Sequence, residues 1–149
     1  MAGNGPVVAR GLSTWFCCGP SYGPCSTAGG GACGDCRSSR WQCAWPNASQ
    51  ACFDITRPDR CGVSLPRYGC DHGFHVANPC TGKSLETVTI ADCGPDTDRF
   101  CRERRCCGDD CSSHRILDLT PAAFSRLADL AAGVIQVVVR NASDAREAT

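Results

Sequence analysis

Arg115-Ile116-Leu117-Asp118-Leu119-Thr120-Pro121-Ala122-Ala123-Phe124 is the stretch on which the reading of this chain turns. Its first five residues are of strand type: after Arg115 comes an apolar run interrupted by one carboxylate. Thr120 then offers an N-cap oxygen and Pro121 suits the first helical position, so the strand passes directly into a helix start. Phe124, Leu127, Leu130 and Ala131 follow at helical spacing, which predicts a helix with one buried face, ending at Gly133. Val134 to Val139, apolar except for Gln136, reads as a strand buried on both faces.

Upstream, Leu85 to Asp92 alternates with β-branched residues and reads as a strand. It runs into Thr89-Ile90-Ala91-Asp92-Cys93-Gly94-Pro95, where a second lone carboxylate closes an apolar run. Pro79-Cys80-Thr81-Gly82-Lys83 is a turn by its Pro and Gly chemistry, with a short strand at Phe74 to Asn78 before it. Val7 to Phe16 reads as the first strand. Cys17 to Arg67 is crowded with Gly, Pro, Ser and Cys and has almost no hydrophobic periodicity, which predicts loops held by crosslinks. Pro95 to His114 reads as a second Cys-rich insertion, and Asn141 to Thr149 as a polar tail that frays. No internal repeat is visible.

The chain has 149 residues, enough for one compact domain with a single core. Its formal net charge is zero, which gives no reason to expect a nucleic-acid or anionic-membrane partner. No apolar run approaches the roughly 20 residues of a membrane span. The 15 cysteines are the outlier: they mark a disulfide scaffold of an oxidising compartment, and their odd number leaves one thiol free or paired with another chain. The chain is therefore read as secreted or wall-facing. Met1 to Val8 has neither the basic start nor the apolar core of a secretory signal, so that signal is expected to be already removed, or export to follow another route.

The ordered set Leu65-Pro66-Arg67-Tyr68-Gly69, Thr81-Gly82-Lys83-Ser84, Asp92-Cys93-Gly94-Pro95, Asp118-Leu119-Thr120-Pro121 and Gly133 to Val139 resembles the double-psi β-barrel of bacterial expansins and of rare lipoprotein A. Gly11-Leu12-Ser13-Thr14-Trp15 resembles the first strand of that barrel, and Cys17-Cys18-Gly19-Pro20-Ser21 is similar to family 45 endoglucanases, which share it. The resemblance covers about two-thirds of the chain; Cys25 to Cys61 and Asp96 to His114 have no counterpart. It implies a mainly β, six-stranded double-psi β-barrel with one or two short helices and disulfide-rich loops. The single domain would have its barrel core at about 7–16 and 65–140, and Cys-rich insertions at 17–64 and 95–114.

Both lone carboxylates are candidates for acid–base work on sugars. Asp118, between Leu117 and Leu119, is expected to have a raised pKa through desolvation, so that its acid form can protonate a glycosidic oxygen or hold a sugar hydroxyl. On the residues alone the favoured reading of Asp118 is a carboxylate that supports the helix start at Thr120, and Asp92 reads also as the first residue of a turn before Gly-Pro. The resemblance implies that Asp118 and Asp92 are the two groove carboxylates and that Thr14 orients Asp118. Hydrolysis in the family 45 manner needs a second carboxylate as base, and the resemblance places it immediately before the paired cysteines. Phe16 stands there. Asp35, Asp54 and Asp71 are the conceivable substitutes, none supported by a motif.

Sugars pack their C–H faces on aromatic rings, so Trp15, Tyr22, Trp41, Trp45 and Tyr68 are the candidate substrate-binding residues. The competing reading of each Trp is a cover over a disulfide. Cys33-Gly34-Asp35-Cys36 and Cys107-Gly108-Asp109-Asp110-Cys111 have the spacing of metal ligands, with His72, His75 and His114 available, but the remaining cysteines are scattered through the loops rather than grouped in fours. No metal and no cofactor are expected.

The leading expectation is a monomeric, secreted, expansin-like protein that binds cell-wall polysaccharide (cellulose, chitin or peptidoglycan) and loosens it without hydrolysis. The alternatives are a glycan-cleaving enzyme, either a peptidoglycan lytic transglycosylase or a family 45-like endoglucanase, and a barwin- or kiwellin-like module that binds a protein.

Overall fold

A computed structural model of the chain describes residues 5–52, 59–60, 63–95 and 100–142. Its strands are β1 (Val7–Trp15), β2 (Gln42–Trp45), β3 (Asp59–Arg60), β4 (Val63–Ser64), β5 (Gly73–Ala77), β6 (Ser84–Cys93), β7 (Arg104–Cys107), β8 (Asp110–Ser113), β9 (Arg115–Leu119) and β10 (Ile135–Asn141). Six of them close into a barrel in the order β1-β10-β5-β6-β2-β9. The pairs β1/β9 and β2/β6 are parallel and the other four antiparallel. Closure leaves no strand of this sheet with an unpaired edge. The pairs β3/β4 and β7/β8 form separate two-stranded ribbons. The chain is thus mainly β, built on a closed six-stranded mixed barrel. No helix among the described residues is long and apolar enough to cross a membrane.

The core is made by the inward-facing residues of the barrel strands: Leu12 of β1 apart, Cys43 and Trp45, Phe74 and Val76, Leu85, Val88 and Ile90, Leu117 and Leu119, and Val137 and Val139 are all buried, and all belong to one packed cluster. The spacing from Leu85 to Val88 is three rather than two. The register explains it: Phe74 pairs with Val88 and Val76 with Leu85, so β6 carries one extra residue there, a bulge that restores both apolar residues to the inside. A similar slip lies between β1 and β9, where Leu12 pairs with Arg115 and Ser13 with Leu117. Gly11 makes room for it, because a Cβ at that position would lie 2.7 Å from the His114 carbonyl oxygen and 2.8 Å from the Ile116 side chain.

Several sequence expectations are corrected. The 17–64 insertion is not outside the barrel: β2, in its middle, is a barrel strand between β6 and β9. The 95–114 insertion contains a hairpin, β7–β8, clasped by Cys106–Cys111. The long helix shrinks to α1 (Pro121–Phe124) and a 3₁₀ turn at Leu130–Ala132. Thr120 forms no side-chain cap. Its hydroxyl donates to the Arg40 carbonyl and accepts from the Gln42 N–H, tying the end of β9 to the start of β2. The Leu127 carbonyl accepts from the Asn78 amide and the Thr81 hydroxyl, and Asp129 is extended, so the helical ladder stops. Phe124 and Leu127 still bury their side chains fully in the core. The tail expected to fray at 141–149 is a strand residue at Asn141; residues 143–149 lie outside the described part.

Among the described residues six disulfides join pairs of cysteines: Cys17–Cys25, Cys18–Cys36, Cys33–Cys70, Cys52–Cys93, Cys80–Cys107 and Cys106–Cys111. Cys101 is disulfide-bonded as well. Among the described residues Cys43 is the free thiol, and it is buried in the barrel core.

Candidate functional site

Strand register assembles the two lone carboxylates. On β2, Ala44 pairs with Asp118 of β9 on one side and with Asp92 of β6 on the other. On β1, Thr14 pairs with Asp118. Thr14, Asp118, Ala44 and Asp92 therefore stand in one row across four adjacent strands, β1-β9-β2-β6. The row exists because of a second irregularity in β6. Cys43 pairs with Ile90 but Ala44 pairs with Asp92, so Ala91 is the extra residue. Without that bulge Ala91 would face Ala44 and Asp92 would fall one place out of line. Ala91 instead packs with Cys18, Cys36 and Phe16 in a small apolar cluster beside the barrel.

Within the row Asp118 is the perturbed group. Burial pushes its carboxyl from the ordinary 3.8 up to about 6. The Thr14 hydroxyl donates to its Oδ1 at 2.8 Å and opposes the shift, as does the Arg115 guanidinium, while the charge of Asp92 adds to it. Arg115 is itself held: it pairs with Glu103 at 2.5 Å and lies over the Phe100 ring at 3.8 Å. The Asp118 carboxyl is thus protonated for much of the time at mildly acidic pH and is held in a fixed orientation by one hydrogen-bond donor. Such a group can donate a proton or a strong hydrogen bond to a ligand oxygen.

Asp92 is anchored differently. Its Oδ1 accepts from the N–H groups of Ala32, at 2.9 Å, and of Cys93, at 2.8 Å. The Ala32 contact needs the 31–33 segment to lie flat on the end of β6, and Gly31 permits this. It has a φ of +86°, and a Cβ there would sit 2.7 Å from the Ala91 carbonyl oxygen. The Cys33 N–H donates to that same carbonyl at 3.0 Å. The crosslinks Cys18–Cys36, Cys33–Cys70 and Cys52–Cys93 all attach within a few residues of this contact, so the disulfides brace the carboxylate row.

The aromatic candidates do not gather beside the row. Trp45 is fully buried, with its ring 4.8 Å from that of Phe74 and its Nε1 donating to the Pro66 carbonyl. It is a core residue with no face to offer a sugar, which corrects its expected binding role. Trp15 is half-buried against the core and donates to the Leu130 carbonyl at 3.0 Å. Tyr68 stacks on His72 at 4.0 Å, next to Trp45 and Phe74. Tyr22 and Trp41 are exposed. Tyr22 lies in the small loop closed by Cys17–Cys25, and Trp41 precedes β2, three residues from Ala44.

Phe16, where the resemblance would have a base, packs on Cys18, Cys36 and Ala91. Of the conceivable substitutes, Asp35 is exposed and paired with Arg40 at 2.8 Å, Asp71 sits in a left-handed turn with φ 70°, and Asp54 lies outside the described residues. The two candidate metal-ligand pairs are used otherwise: Cys33 and Cys36 enter different disulfides, as do Cys107 and Cys111. Ala44, the Ala32 N–H and Arg115 are the parts of the site that sequence reasoning missed. Only Arg115, the first residue of the Asp118 strand, carried any signal. No protein-family model matches the chain, and no curated protein matches it.

Proposed function

We propose that this chain is a secreted, expansin-like double-psi barrel that binds cell-wall polysaccharide over the Thr14–Asp118–Ala44–Asp92 row and loosens it without hydrolysis. The observation that carries this reading is Asp118: a carboxyl raised to about 6 by burial, pinned by Thr14, and aligned with Asp92 across the small side chain of Ala44. Its acid form competes for the oxygens through which glycan chains hydrogen-bond to one another. Hydrolysis asks for a base on the opposite face of the sugar. Phe16, which stands where the resemblance would put that base, is committed to an apolar cluster. The disulfide framework supports export to an oxidising compartment.

The shifted acid favours one second reading, a lytic transglycosylase, in which Asp118 protonates the leaving oxygen as the glycosidic bond breaks and, now a carboxylate, takes the proton of the sugar's own hydroxyl as that oxygen bonds to the anomeric carbon, so that no water is activated. Sedimentation with insoluble cellulose, chitin and peptidoglycan, with the soluble fraction assayed for reducing ends and for anhydro-sugar ends, separates the outcomes. Binding with neither product, lost in Asp118→Asn, is the expected result. Anhydro ends from peptidoglycan would establish the second reading. Reducing ends released in step with binding would overturn both.

A further inference from the structure

The far end of β6 carries a different surface. Two adjoining cavities open there and share Ser84 and Arg126. One, of about 410 Å³, is lined by Lys83, Ser84, Ser125 and Arg126. The other, of about 380 Å³, is lined by Trp41, Ser84, Leu85, Glu86 and Arg126. Ser84 and Asp92 begin and nearly end β6, eight residues apart, so the Ser84 end of this surface lies about 25 Å along the strand from the carboxylate row at ~3.3 Å per residue, while Trp41, three residues from Ala44, is the part nearest to that row.

The two cavities differ in chemistry. The first presents two cations and two hydroxyls and no carboxylate. Among the described residues, neither Lys83 nor Arg126 takes part in an ion pair. The second presents an indole that is 43 % exposed, with one carboxylate beside it. The Arg126 guanidinium lies 5.4 Å from the centre of the Trp41 ring. That contact holds the guanidinium in place, so its donors lose less freedom when they take up a ligand.

We propose that this surface is a glycan-binding site, specific for a sugar that carries a carboxylate. The exposed part of the Trp41 ring packs the C–H face of the sugar. Arg126 and Lys83 take the ligand carboxylate, which the planar guanidinium accepts through paired N–H donors. Glu86, an acceptor-only group when ionised, takes sugar hydroxyls, with Ser84 beside it. Glu86 also argues against a polyphosphate ligand, which brings more negative charge to the cavity and few hydroxyl donors to satisfy this carboxylate. The proposal does not rest on the reading of the Asp118 row, and the two fail separately.

Titration calorimetry with an oligogalacturonate and with a neutral galactan of matched length tests it, using the full chain. Binding of the acidic oligomer is expected, weakening as salt is raised. Trp41→Ala and Arg126→Gln are each expected to weaken it by about tenfold or more. Both side chains are exposed, so the variants are expected to keep the wild-type circular dichroism spectrum. Asp118→Asn is expected to retain the binding. Absence of binding, equal binding of the neutral galactan, or unchanged affinity in both surface variants would overturn the proposal. So would loss of binding in Asp118→Asn together with retention in Trp41→Ala, which would place the acidic oligomer on the carboxylate row.

Discussion

Asp118 and Asp92 are opposite neighbours of the same residue: both pair in register with Ala44, one through an antiparallel ladder and the other through a parallel one. The two carboxyls are thereby about two strand spacings apart, roughly 10 Å between backbones. This is close enough for the charge of Asp92 to raise the Asp118 carboxyl, and far enough to leave the width of Ala44 between them.

The first prediction is a stability profile of unusual sign. The folded state raises the Asp118 carboxyl from 3.8 to about 6, so the native protein holds this proton more tightly than the unfolded chain. The contribution of this group to stability therefore falls as pH rises from about 4 to about 6 and is constant above that. The displacement corresponds to roughly 3 kcal/mol as an upper figure. Asp118→Asn keeps an oxygen for Thr14 and has no charge to bury. Its stability relative to wild type, measured by urea unfolding across pH, should rise through this window and reach a plateau near neutrality. A difference that does not change with pH would sink the assignment.

Thr14 tunes the acid. Its hydrogen bond to Asp118 holds the carboxyl lower than burial alone would. Thr14→Val removes the donor with little change of shape, so the Asp118 pKa should move further up. The alkaline limb of the wall-glycan binding proposed above should move with it, at a stability cost of about 1–2 kcal/mol at neutral pH. Carboxyl-carbon NMR titration of Asp118 gives the direct readout, and an unchanged titration curve would count against the role of Thr14.

Hydrolysis of soluble cellulose should stay at background in the wild-type protein. Lack of a base to deprotonate water costs about 10²–10⁴-fold in rate. Phe16→Asp is not expected to restore it, because Phe16 fills the cluster with Cys18, Cys36 and Ala91. The replacement forfeits that packing and sets a charge against apolar neighbours, for a loss of about 2–4 kcal/mol. Steady release of reducing ends by either protein would show that another carboxylate acts as base.

Cys43 should be chemically silent in the folded protein. It is fully buried, and its thiol is pushed far above the ordinary range, first by burial and then by the charge of Asp118. The thiolate that a thiol reagent needs is therefore scarce. Ellman's reagent should find no reaction at Cys43 under native conditions and prompt reaction in guanidinium. Cys43→Ala should be tolerated better than Cys43→Ser, which brings a hydroxyl into the core. Rapid native labelling at Cys43 would contradict the barrel packing.

Much of the barrel was legible in local pattern. The strand at Arg115–Leu119 is predicted to the residue, and β1, β5, β6 and β10 to within one or two, because alternation and β-branching are properties of neighbouring residues. The odd cysteine count also announced an unpaired thiol, though not that it would be Cys43. The four residues Gln42-Cys43-Ala44-Trp45 carry no such pattern, and they are a strand only because β6 and β9 supply hydrogen-bond partners on both sides. The inward side of that strand then decides that Trp45 is core, while Trp41, just outside it, is exposed. Thr120 had the chemistry of a cap, but two backbone groups of the β2 region claimed its hydroxyl instead. Residue types singled out Asp118 and Asp92; their alignment came from one extra residue in β6, and register between distant segments is set by whole-barrel packing rather than by either strand alone.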